Sequence, residues 1–81
     1  MVITTKYVLI EKKNIIRVIH DSDGDWQFLT NDNVVESDAL VVSLQQILEY
    51  DESISELLSL PRNKIAIREN KNSKWIINNF I

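Results

Sequence analysis

Short β-branched runs separated by polar clusters dominate the first half of the chain. "KYVLI" (Lys6–Ile10), "IIRVIH" (Ile15–His20), "WQFL" (Trp26–Leu29) and "ALVV" (Ala39–Val42) have strand length and strand composition. The polar "EKKN" (Glu11–Asn14) predicts a hairpin turn between the first two. Within the third, Trp26 and Phe28 fall on one face and Gln27 and Leu29 on the other. A longer polar connection, "TNDNVVESD", leads into the fourth.

The period changes at Ser43. "SLQQ" sets Ser43 as an N-cap and Gln46 three residues on, the reciprocal pattern of a capping box. Leu44, Ile47 and Leu48 then form one apolar helical stripe. Asp51 or Ser53 caps a second short helix, where Ile54, Leu57 and Leu58 repeat the stripe, and "SISE" offers another capping box. Pro61 forbids its continuation. "KIAIRE" (Lys64–Glu69) and "KWIINNF" (Lys74–Phe80) read as two closing strands joined by the turn "NKNS". The predicted order is β-β-β-β-α-α-β-β. It describes one α+β domain over residues 1–81, an antiparallel sheet with two short helices on one face.

Size and composition agree with that picture. Eighty-one residues, 44% of them hydrophobic, support a single core that buries roughly 60–65% of the unfolded surface. With no cysteine there is neither a disulfide framework nor a thiolate metal site. No apolar run approaches the roughly 20 residues of a membrane span, and the N-terminal segment lacks a signal-peptide core. The expectation is a soluble, cytoplasmic protein with no membrane partner.

Charge sharpens the reading. Ten of the twelve acids lie between Asp21 and Glu56, whereas all nine Lys and Arg lie outside residues 18–61. A net charge of −3 without a basic cluster argues against a nucleic-acid partner, because phosphate contacts require a Lys/Arg footprint. If the central acids share a face they attract a cationic partner; if the flanking strands pair beside them, the charges mix.

The stretch "HDSDGDWQFL" (His20–Leu29) concentrates whatever chemistry the chain holds. As an EF-hand loop, Asp21, Asp23 and Asp25 match the first three ligand positions. However, Trp26 stands where glycine belongs, and Asp32 replaces the closing glutamate. No dedicated metal site is expected. His20, Asp21 and Ser22 have triad residue types, but as neighbours on an extended chain they point apart. The chain has no second histidine, no cysteine nucleophile and no Gly-rich phosphate loop. Neither catalytic residues nor a cofactor are expected, and His20 reads as a hydrogen-bonded structural residue. A tight turn explains the stretch best: Gly24 supplies a positive φ, Asp21 and Asp23 accept backbone N–H groups, and Trp26 and Phe28 anchor the core.

"DGDWQFL" after "RVIH" resembles a small bacterial domain-of-unknown-function family with an Asp-x-x-Trp-x-Phe signature, matched here by Asp23, Trp26 and Phe28. The family's second block, a helix leading to an Asp-capped helix that ends at proline, is similar to "SLQQILEYDESISELLSLP", with Asp51, Ile54, Leu58 and Pro61 in place. Ala66 and Arg68 of "IAIRE" extend the likeness to roughly residues 6–75. Glu52 and "RNK" stand where the family commonly has a proline and a glycine. Such families are classed with immunity proteins of polymorphic toxin systems, so the resemblance implies a binding protein that neutralises a cognate toxin. No catalytic residue comes with it.

Two modes of action follow. In the first, Asp21, Asp23 and Asp25, with Asp32, Glu36 and Asp38, form an acidic surface for a protein partner such as a basic toxin domain. In the second, the chain is a regulatory or adaptor module, monomeric or homodimeric, whose terminal "KWIINNFI" exposes an apolar edge strand.

Overall fold

The computed structural model describes residues 1–80. Six strands form one sheet: β1 (Val2–Thr5), β2 (Arg17–His20), β3 (Trp26–Leu29), β4 (Ala39–Val42), β5 (Lys64–Ile67) and β6 (Ile76–Asn79). Their spatial order is β4-β1-β3-β2-β5-β6. A single helical turn, α1 (Lys6–Leu9), follows β1. A helix, α2 (Leu44–Tyr50), and a 3₁₀ helix (Glu52–Leu57) follow β4. The α+β class is therefore as the sequence indicates.

Three details differ from the sequence reading. First, Lys6–Leu9 is helical, and the opening strand is Val2–Thr5 instead. β1 lies between β4 and β3, so the chain must cross β3 before entering β2, and no hairpin at Glu11–Asn14 can make that crossing. The helical turn makes it while burying Val8 completely. Second, the crossing leaves β1 parallel to β3, while the other four pairings are antiparallel. Third, the second helix is 3₁₀, although its cap is Asp51, one of the two residues the sequence offers, whose Oδ1 accepts the Ser53 N–H at 3.0 Å.

The Ser43 capping box forms as the sequence indicates. Ser43 Oγ accepts the Gln46 N–H, and Gln46 Oε1 accepts the Ser43 N–H. This helical layer runs from the β4 edge to β5 and so lies across one face of the sheet. Val18 stands opposite both Phe28 and Ala66, and these three meet Val8, Ile15, Ile47, Ile54, Leu57 and Leu60 in one core. Phe28, the largest fully buried side chain, sits at its centre.

Candidate functional site

The β2–β3 turn holds the acidic stretch. Gly24 has φ +86°, which a side chain rarely tolerates, and its N–H donates to the Asp21 carbonyl at 3.1 Å. Asp21 Oδ1 accepts two N–H groups, from Asp23 and Asp25, each at 3.0 Å. The Asp21 side chain thus builds the turn, as an Asx residue does. The α-ammonium of Met1 lies 2.8 Å from Asp25 Oδ1, and the Met1 carbonyl accepts the Trp26 N–H. Arg62 closes over the turn: a Cβ on Gly24 would lie 2.7 Å from its Nη2. One oxygen from each of Asp21, Asp23 and Asp25 comes within 4.8 Å of the others. That spacing suits a shared cation, but Asp25 already faces an ammonium, and Asp21 spends Oδ1 on the backbone. Asp23 alone is exposed and has no ion-pair partner among the described residues.

Asp32, Glu36 and Asp38 lie elsewhere. Asp21–Asp25 precede β3 and Asp32 follows it, so the two groups are separated by the strand's length, at least about 10 Å. Asp32 is paired with Lys13 at 2.8 Å and accepts the Thr30 hydroxyl at 2.6 Å. Those two bonds, the lysine's first, hold its carboxyl below the ordinary range, and the same contact raises the Lys13 ammonium. Asp38 is buried, accepting the Val35 N–H at 3.1 Å and lying 3.3 Å from Lys6 Nζ. The Val35 N–H lowers its pKa, with Lys6 helping against the burial that would raise it. Glu36 remains exposed.

The flanking cations therefore reach into the acidic middle, as the mixed-charge alternative anticipates. The innermost case is Asp51, whose Oδ2 accepts from Arg68 Nη2 at 2.8 Å with both side chains almost fully buried. Burial pushes the Asp51 carboxyl up, but the hydrogen bonds from Ser53 and Arg68 outweigh it and hold it below its ordinary value. Arg68 also donates twice to the Ile15 carbonyl and stacks 4.1 Å from the Trp75 ring centroid.

His20 is engaged in the same structural way. Its ring stacks on Trp26 with centroids 3.9 Å apart, and Trp26 stacks in turn on Phe28. Nδ1 lies 2.7 Å from the Leu60 carbonyl oxygen. A carbonyl only accepts, so Nδ1 carries the proton in this contact and Nε2 is the other nitrogen. No serine or carboxylate hydrogen-bonds the ring among the described residues.

The other feature is the open edge of the sheet. Among the described residues β6 pairs only with β5, and Ile76 to Phe80 are all exposed. Ile67, facing Ile76 across the β5–β6 pair, extends the apolar patch. None of Trp75 to Phe80 carries a charge. The sequence signals this edge through its apolar ending, "KWIINNFI", but cannot show which strand lies outermost.

No family model, no curated protein and no solved structure matches this chain.

Proposed function

We propose that the chain is a non-catalytic protein-binding module whose contact surface is β6 and its open edge. The observation that carries this reading is the exposure of Ile76, Ile77 and Phe80 on an uncharged edge strand. Soluble domains blunt such edges with Lys, Pro or bulges unless another chain covers them. The engagement of His20 with Leu60 and Trp26 supports the non-catalytic part of the proposal. Toxin neutralisation, the role the sequence resemblance implies, is one form this binding would take.

A second reading places the contact at the acidic turn. It is favoured by Asp23, the one exposed acid of the turn and without an ion-pair partner among the described residues, beside Asp21 and Asp25. A basic toxin domain would be steered there electrostatically.

The test is to co-express the chain with the product of the adjacent reading frame and measure association at low and high salt. Edge binding predicts that Ile76→Asp abolishes the complex, while Asp21→Asn with Asp23→Asn leaves association unchanged. Turn binding predicts the reverse, with the acid variants slowing association mainly at low salt.

A further inference from the structure

Taking β6 as the contact surface, as proposed above, we infer that its occupant is a second copy of this chain, added antiparallel to make one continuous sheet across a two-fold axis.

The backbone fixes which groups are available. The Phe80 N–H donates to the Asn63 carbonyl at 2.9 Å, and β6 pairs with β5 so that Asn79 opposes Lys64 and Ile77 opposes Ala66. Antiparallel pairs alternate between bonded and non-bonded positions. Phe80, Asn78 and Ile76 therefore turn their polar backbone groups toward β5, while Ile77 and Asn79 turn theirs to the open edge. Two such edges are self-complementary when Ile77 opposes Asn79 of the second copy. That register forms four backbone hydrogen bonds, two at each symmetry-related pair.

The same register fixes the side chains. Ile76 falls opposite Phe80 of the second copy in the closer, non-bonded position, and symmetry repeats the pair. Ile76, Ile77 and Phe80 are 64%, 53% and 41% exposed in the single chain. An aromatic–β-branched pair is among the favourable cross-strand combinations. The two Asn78 side chains meet on the axis, where amides can pair. Charge does not oppose the contact. The nearest symmetry-related cations on the sheet, the two Lys64 side chains, stand three strand spacings apart, about 14 Å, beyond the roughly 8 Å screening length. β4, the opposite edge, exposes only Val41 as a large apolar side chain and forms no equivalent pairs. The β6 contact is isologous and closes on itself, so it stops at a dimer.

Four-residue strands meeting edge to edge bury less than the roughly 1,200 Å² of a standard stable interface, which makes the dimer weak, with Kd on the order of 100 µM. Sedimentation equilibrium of the full chain between about 10 µM and about 1 mM spans that range. The wild type should rise from 9.4 kDa toward twice that mass. Asn79→Pro removes an N–H that β5 does not use, together with one exposed side-chain hydrogen bond from Lys64, and Phe80→Lys places a charge at the contact. Both should stay monomeric at every concentration while unfolding within a few degrees of the wild type. A wild type monomeric throughout, or a dimer unchanged in both variants, overturns the inference. A chain that is monomeric alone but covered at β6 by a different protein also overturns it, while leaving the protein-binding function standing.

Discussion

Arg68 and Asp51 form an ion pair at 2.8 Å that is closed from water, joining the end of β5 to the junction between α2 and the 3₁₀ helix. It ties the helical layer to the sheet, because the same guanidinium also donates to Ser53 Oγ and the Ile15 carbonyl. Removing one partner strands the other in the interior. Arg68→Ala should therefore lower unfolding free energy by about 3–5 kcal/mol, measured by urea titration, much of the stability of a domain this size.

The same pair sets acid sensitivity. Asp51 is held below its ordinary value of 3.8, so its contribution is fully present above that pH and is lost as pH falls through its lower folded value. Asp32 and Asp38 act in the same direction. The midpoint of urea unfolding should be flat from neutral pH to about 5 and fall below about 4. Asp51→Asn should flatten that acid limb.

Adjacent threonines should respond with opposite sign. Thr4 and Thr5 are both buried, but only Thr4 Oγ1 has a partner, donating to the Phe28 carbonyl at 2.8 Å. Thr5 Oγ1 is enclosed without one among the described residues. Thr4→Val should cost about 1 kcal/mol and Thr5→Val should gain a similar amount in chemical denaturation, since an unpaired buried hydroxyl penalises the fold.

The acidic turn predicts a backbone-limited position. Gly24→Ala is opposed chiefly by its positive φ, because the exposed Arg62 guanidinium can move aside, and should destabilise by roughly 1–2 kcal/mol. Arg62→Ala should therefore recover little of that loss, and a double-mutant cycle should show coupling near zero between the two positions. Asp21→Ala should unsettle the turn, whereas Asp23→Ala should leave stability unchanged, because only Asp21 accepts turn N–H groups.

Local chemistry was the legible part of this chain. Ser43 and Gln46 cap α2 as their spacing indicates, Gly24 takes the positive φ its turn requires, and Asp51 ends one helix and starts the next. Long-range pairing was not legible. Lys6–Leu9 has strand composition yet coils, because the chain must cross β3 and Val8 has a core to reach. β1 hides in plain view: Thr4 and Thr5 are polar by type but buried, and only their neighbours in space show why. The charge layout left two arrangements open, a shared acidic face or mixed charges, and only the pairing in space decides for the second. Acids clustered in sequence meet Lys6, Lys13, Arg68 and the N-terminus in space, and β3 separates the two groups of candidate acids.

Amide hydrogen exchange at Ile77 and Asn79, followed as protein concentration rises, tests the role of β6 most directly. The amides of Asn78 and Phe80, turned toward β5, are the internal control. Contact through the edge predicts that Ile77 and Asn79 slow by about fourfold from about 10 µM to about 1 mM, while the controls do not change. Exchange at Ile77 and Asn79 that stays fast at every concentration, and in every complex the chain forms, would contradict it.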